Sequence, residues 1–457
     1  MDAAALFRTA IAARQRQDVE AAVEAIDAAA RLAPTHPPIA AVRAQLHYES
    51  WRPASALFAH AATLNPADLQ LVRNRALALT SEGKASAAQE LLEHRLAAQP
   101  DWLDGHSILS RIRLTSGDGD GHDRGYAAAV QTRPQDLALR LAWFHNAAIR
   151  KDWYKVGAIL AAAERDFPRQ RALASARFYL ASESGDDATV DARLADVADI
   201  VDPGLDLCRV RLHLRRGDCA QAEACATRHI GTPSANIFWP YLSLIWRLTG
   251  NERATWLDGA PPFKSTYDLD FPQAELDMLA ETLRALHILQ APYPEQSVRG
   301  GTQTDRPLFF NPDPVIQSVR EKITAAVRRY VDALPPADQT HPLLAPRRDE
   351  ILFAGSWSVR LKGKGFHASH THVMGWVSSA FYVALPDQPG PEPSGWFALG
   401  TPSPELGLDL PPYATVEPKP GRLLLFPSTM WHSTFPFEEG ERLTIAFDIA
   451  VPRQACH

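Results

Sequence analysis

Three histidines and one arginine, clustered between positions 370 and 442, have the types and spacing for metal chemistry. His370 and His372 stand two apart in HASHTHVMGWVSSAFYVALP, His432 follows in GRLLLFPSTMWHSTFPF, and Arg442 comes ten residues later in EGERLTIAFDIAV. The flanking sequence alternates as strands do: Trp376, Ser378, Ala380 and Tyr382 against Val377, Ser379, Phe381 and Val383, and again through Leu443 to Val451. Side chains at i and i+2 of a strand share a face, so two imidazoles can sit side by side while a third from a distant strand closes the site. Three nitrogen donors on one face leave the opposite coordination positions open to substrate and dioxygen, an arrangement that suits non-heme Fe(II). His367 is an odd number of residues from His370 and is expected on the other face of a regular strand. Spacing leaves two readings of His372 open: a third ligand, or a donor behind a site held by His370 and His432. Arg442 beside an open metal position offers a planar fork that suits a carboxylate. Taken alone, a His-x-His pair is more often a surface or hydrogen-bonded pair, and a lone strand arginine a surface residue; the weight lies in their joint spacing.

Together these features resemble the 2-oxoglutarate/Fe(II)-dependent oxygenases, in particular the prolyl- and aspartyl-hydroxylase-like branch. The pattern there is His-x-Asp/Glu, a distal His, then Arg or Lys about ten residues on, matched here by His370, His432 and Arg442. The run PKPGRLLLFPSTMWH, Pro418 to His432, resembles the Pro-x-x-Gly start of the strand before the distal histidine. His372 departs from the pattern where most members carry a carboxylate; the chain is similar to a bacterial subgroup with His-x-His. The resemblance covers residues 346–457. It implies a double-stranded β-helix (jelly-roll) barrel and Fe(II) held by His370, His432 and His372. It further implies 2-oxoglutarate anchored by Arg442 and O2 as oxidant, with hydroxylation coupled to release of succinate and CO2 and no protein general base. Thr444, two residues along the same strand face as Arg442, could add a hydroxyl to the co-substrate site. Ser358 and Arg360, on the strand leading into the histidines, are further candidates for co-substrate or substrate contact. Trp357, Trp376, Trp396 and Trp431 read as barrel packing.

The elements that must position this site occupy only the end of a 457-residue chain, long enough for two or three domains. Prolines punctuate the first half at Pro34, Pro66, Pro100, Pro134, Pro168 and Pro203, steps of 32, 34, 34, 34 and 35 residues, the period of tetratricopeptide repeats. Small residues keep phase with them where paired helices should cross: Ala10, Ala22, Ala29, Ala54, Ala61, Ala76, Ala88, Ala129 and Ala163. Accidental prolines in alanine-rich helices would not hold a phase through five intervals. The glycine- and aspartate-rich run Ser116–Gly125 lacks the spacing and closing glutamate of an EF-hand and reads as a turn between helices. A last helix pair ends the array near Gly250. Stacked helix pairs present a groove commonly used for peptides.

From Asn251 the composition turns to Pro, Gly and aromatics, with helices expected over Pro272–Leu289 and Pro314–Leu334. Gln296–Thr304, polar and glycine-bearing, could line a site mouth or form an ordered loop, with Arg299 its most informative residue; the first barrel strand is expected near Ile351. The organisation is therefore a multidomain α plus β chain: a helical solenoid over 1–250, a helical connector over 251–345 and a barrel over 346–457.

A 46% hydrophobic, 22% charged composition is globular, and a net charge of −6 speaks against nucleic-acid binding. No apolar run reaches membrane-spanning length and the first residues do not resemble a secretory signal. Cys208, Cys219, Cys225 and Cys456 are too few for a disulfide framework, so a cytoplasmic setting is expected. The leading expectation is a 2-oxoglutarate/Fe(II)-dependent hydroxylase acting on a peptide or protein presented by the repeat groove. Two other readings are a non-catalytic repeat scaffold with a degenerate barrel, and a three-histidine dioxygenase that does not use 2-oxoglutarate.

Overall fold

The proline phase sets the helices of the N-terminal half. In the computed structural model, which describes residues 2–186 and 188–452, helices end two residues before Pro34, Pro66, Pro100 and Pro134. The residues just before these prolines, Ala33, Asn65, Gln99 and Arg133, all sit near φ −130° to −140° and ψ +64° to +77°. A following proline excludes the α conformation from the residue ahead of it, so each helix stops there. Two residues after Pro66 and Pro134, Asp68 and Asp136 cap the next helix by accepting from Gln70 N and Leu139 N. Such a cap contributes about 1 kcal/mol. Pro203 departs from the phase: it is the first residue of helix Pro203–Arg215, capped by Asp202. All nine phased alanines are buried. The Ser116–Gly125 run is a turn in which Asp118 accepts from Gly121 N and pairs with Arg124.

The repeats run as helix pairs to Cys219–Thr227, with a further helix at Ala235–Leu248. Packing divides the chain into two compact units that do not follow chain order. One holds Met1–Asp166 with Ala285–Glu295 and Thr304–Ser318; the other holds Phe167–Arg284, Gln296–Gln303 and Val319–His457. Cys456 lies outside the described residues. Among the described residues, Cys208, Cys219 and Cys225 are free thiols, and no helix is long and apolar enough to cross a membrane.

In the first unit the helical face already carries a stretch of the chain itself. Trp51 Nε1 donates to the Pro307 carbonyl at 2.8 Å and the Arg306 guanidinium lies 4.0 Å over the Trp51 ring. Arg111 covers the Tyr293 ring and pairs with Glu295, and Phe310 packs against the core of the first three helices.

The second unit contains two antiparallel sheets. The strands are β1 Ser265–Asp268, β2 Val298–Gln303, β3 Phe353–His367, β4 Gly375–Ala384, β5 Phe397–Leu399, β6 Ala414–Val416, β7 Arg422–Pro427, β8 His432–Thr434 and β9 Glu441–Ala450. The larger sheet has the order β1-β7-β4-β9-β3-β2 and the smaller β6-β5-β8, the two sheets of a double-stranded β-helix. Gln296–Thr304, a loop candidate in sequence, is mostly the edge strand β2. Its two glycines make a bulge against β3: Gly300 takes φ +72°, and a Cβ on Gly301 would meet the Arg360 carbonyl oxygen at 2.2 Å.

β9 wears its polarity inside out. Leu443, Ile445, Phe447 and Ile449 point one way and Arg442, Thr444, Ala446 and Asp448 the other, in register with Leu361, Val359, Trp357 and Gly355 of β3. The apolar face is covered by helical elements. Phe271, just ahead of helix Gln273–Leu286, meets Phe381 at a tilt with ring centroids 5.4 Å apart, Arg284 of that helix bonds Glu441, and Arg320 of helix Pro314–Asp332 lies over Phe353. The polar face of β9 is thereby left for the barrel interior.

Candidate metal and co-substrate site

The two paired histidines lie in the link between β3 and β4 rather than in a regular strand. The link stays extended because it borrows partners from β8 and the segment before it: His370 and His432 exchange both backbone hydrogen bonds at 3.0 Å, and His372 N donates to the Ser428 carbonyl at 2.9 Å. The i, i+2 geometry survives, and His432 is brought directly opposite His370. Ring centroids are 4.1 Å apart for His370 and His432 and 5.0 Å for each of the other two pairs. One ring nitrogen from each of the three lies within 4.8 Å of the others.

Their hydrogen bonds fix which nitrogen is left over. Nδ1 of His370 is 2.9 Å from the Ala368 carbonyl oxygen, Nδ1 of His432 is 3.0 Å from that of Met430, and Nδ1 of His372 is 2.7 Å from a carboxylate oxygen of Asp448. Carbonyl and carboxylate oxygens only accept, so each Nδ1 carries a proton and Nε2 is the ring nitrogen left to meet a metal, that of His370 also lying 3.2 Å from Ser297 Oγ. Burial, with the neighbouring imidazoles, pushes the His370 pKa down to about 3 and holds His432 well below the usual histidine range. Neutral imidazoles are what a metal ion requires. Phe397 stacks parallel to His432 and Phe426 meets it edge-on.

His367 is not on the far side of the sheet. β3 ends there, and its ring runs beside His370 at 6.1 Å. Its Nδ1 is 3.0 Å from Ser297 Oγ, which lies 3.2 Å from Nε2 of His370. It stands apart from the three-histidine group.

Arg442 is 2% exposed. It donates through Nη1 to the Gly395 carbonyl at 2.9 Å and through Nη2 to Thr434 Oγ1 at 3.1 Å. Its Nε and the hydroxyl of neighbouring Tyr382 are buried without a hydrogen-bond partner among the described residues. Desolvation lowers the Arg442 pKa, offset in part by Tyr382. A buried cation with no anion paired to it among the described residues is costly, on the order of a few kcal/mol, and the two orphaned donors, its own Nε and the Tyr382 hydroxyl, fit the oxygens of an incoming carboxylate.

Residues 355–448 match the family model described as "Putative 2OG-Fe(II) oxygenase". The C-terminal region is a 2-oxoglutarate/Fe(II) oxygenase domain. Its family chemistry uses Fe(II), 2-oxoglutarate and O2, and the donors in the oxygenase domain suit the first two: three imidazole nitrogens for the metal, a buried guanidinium for the dicarboxylate. A comparison with curated proteins finds no match. Among solved structures, the chain is similar to a tetratricopeptide repeat protein from Parabacteroides merdae at 16% identity, over 55% of this chain and 98% of that one, with a TM-score of 0.34. It is also similar to a Pseudomonas putida prolyl-4-hydroxylase at 17% identity, over 44% and 97%, TM-score 0.29. A third is HygX from Streptomyces hygroscopicus, with nickel and 2-oxoglutarate bound, at 13% identity over 44% and 85%, TM-score 0.29. At these scores the fold assignment rests on the chain's own topology and the matched family.

The other sequence candidates separate by strand face. Thr444 shares the oxygenase domain's inner face with Arg442, opposite Val359 and Tyr382. Ser358 and Arg360 do not: their register partners are Ile445 and Leu443, on the outward face, and Arg360 pairs with Glu441. An even number of residues joins Ser358 to Arg360, but β3 and β9 align odd positions of one with even positions of the other, a parity no single strand reveals. Arg299 bonds the carbonyls of Gln296 and Val298. Trp376 and Trp431 are buried, donating to the Leu343 and Pro240 carbonyls, while Trp357 lies against His372 at 5.7 Å. Sequence reasoning missed Asp448, Tyr382 and Ser297. Asp448 had a signal, an acid in phase with Arg442 and Thr444 inside an apolar strand; Tyr382 had none beyond its alternation.

Proposed function

We propose that the chain is a 2-oxoglutarate/Fe(II)-dependent hydroxylase in which His370, His372 and His432 hold the metal and Arg442, helped by Tyr382, holds the distal carboxylate of 2-oxoglutarate. The observation that carries this reading is the complementarity of what each corner leaves unsatisfied. Three lone pairs converge in one place, and a buried cation with two unused donors lies in the same barrel interior. When bound, the metal, co-substrate and O2 supply the oxidising power: 2-oxoglutarate gives succinate and CO2, one oxygen atom enters succinate and the other a substrate C–H bond. The protein's own part is positional. Backbone carbonyls and Asp448 lock the imidazole tautomers, and Thr434 and Gly395 aim the Arg442 fork. Phe397, Phe426 and Trp357 shield the histidines. The unneutralised Arg442 disfavours a three-histidine dioxygenase without 2-oxoglutarate, which has no use for a buried cation, and equally disfavours a non-catalytic barrel.

In this reading residues 346–457 form the catalytic core, 251–345 its supporting connector and the repeats of 1–250 a peptide-handling segment for a peptide or protein substrate. The proline-containing stretch that places Arg306 and Pro307 on Trp51 and Phe310 on the first helices supports that last assignment, since the helices already accept a non-repeat segment of polypeptide. The test is anaerobic titration with Fe(II) and then 2-oxoglutarate, followed by admission of air. Saturable binding of both and release of succinate are expected; metal uptake with no 2-oxoglutarate binding would reject the reading.

A further inference from the structure

The His-x-His pair leaves the proposed iron site without the carboxylate that the matching pattern carries two residues after its first histidine. The fold places a negative charge behind that same position. Asp448 of β9 presents both carboxylate oxygens to Nδ1 of His372, at 2.7 and 2.9 Å. Its Oδ1 also accepts from Ser378 Oγ at 2.6 Å, and the Ser378 and Ser428 hydroxyls are 2.8 Å apart. Asp448 is 9% exposed, and no lysine or arginine among the described residues pairs with it. His370 and His432 differ, because their Nδ1 atoms face neutral amide carbonyls. Of three otherwise similar imidazoles, only the one at the departing position is backed by a charge.

We propose that Asp448 is the charge-compensating carboxylate of the metal site, acting through the His372 ring instead of binding the ion. A histidine that donates its far N–H to a carboxylate is a stronger, better-oriented ligand than one that donates to an amide, and partners of this kind strengthen metal binding substantially. The arrangement returns negative charge to the centre through the hydrogen bond between Asp448 and the His372 ring. Asp448 is thus a positioning and electrostatic residue, and the role rests on the three-histidine site proposed above.

The test uses the full chain, with Fe(II) under anaerobic conditions and Co(II) as a spectroscopic probe, each competed against a chelator. Asp448→Asn keeps size and an acceptor oxygen but removes the charge, and is expected to weaken both metals about 10–100-fold. Adding His372→Asp to Asp448→Asn moves the carboxylate from behind the ring to the ligand position, and should recover most of that loss. A purely structural role for Asp448 would not be rescued by this relocation. Wild-type metal affinity in Asp448→Asn, or a double variant no tighter than Asp448→Asn, overturns the proposal and leaves the three-histidine site standing. Wild-type protein that takes up neither metal overturns both. Should Asp448→Asn not fold, histidine-labelled wild type loaded with Zn(II) decides by NMR. One Nδ1–H proton well downfield of the other two is expected; three similar shifts overturn the role.

Discussion

The histidine corner and the arginine corner of the barrel are opposite solutions to burying polar groups. At the histidines every N–H is spent, on Ala368, Met430 and Asp448, and what remains is a set of acceptors. At Arg442 the acceptors of Gly395 and Thr434 are used up, and what remains is donors and a positive charge. Buried polar groups are normally paired, so in the function proposed above the two inventories suit different ligands: a cation where lone pairs converge, an anion where N–H and O–H groups do. Neither corner alone specifies the chemistry. Their conjunction supports the proposed one, because a chelating 2-oxo acid has to reach a metal and a cation at once.

That contrast can be broken at either end. The largest effect is expected from His370→Ala or His432→Ala, which leaves two donors to compete with water; Fe(II) content after anaerobic loading should fall to background. Near-wild-type iron in either variant would remove the metal corner from the argument. Arg442→Ala should separate the corners. With metal loaded, 2-oxoglutarate binding should weaken by about 2–4 kcal/mol, roughly 30- to 1000-fold, while Fe(II) affinity hardly moves. An unchanged co-substrate dissociation constant by calorimetry would assign the arginine to something else.

A smaller change is expected for Tyr382→Phe, which deletes one unused donor. Co-substrate affinity should drop by about 1.5 kcal/mol, close to tenfold, without lowering the melting temperature of the ligand-free protein, because the hydroxyl has no partner to lose among the described residues. A destabilised variant with intact 2-oxoglutarate binding would show that Tyr382 serves packing alone. The smallest effect belongs to Arg360→Ala. Its partner Glu441 also pairs with Arg284, and both members are partly exposed. Stability should change by less than about 1 kcal/mol and co-substrate binding not at all; a marked rise in the 2-oxoglutarate dissociation constant would return Arg360 to the site.

Much of this was written locally. Proline steps dictate where helices stop, because the residue before each proline cannot stay helical, and the phased alanines lie at the buried crossings. The histidine spacing and the ten-residue step to Arg442 state the ligand types, and alternation in β9 separates Arg442 and Thr444 from Leu443 and Ile445 before any partner strand is known. Relations between strands are not local. The pairing of the His370 and His432 backbones, the parity that sends Ser358 and Arg360 outward, and the conversion of Gln296–Thr304 from loop to edge strand depend on registers set by residues far apart in the chain. Asp448 lies 76 residues from His372 and Tyr382 lies 60 residues from Arg442. Sequence could therefore supply the donors of both corners, but only the closed barrel decided which of their atoms stay unsatisfied, because that depends on every neighbour the fold brings to them.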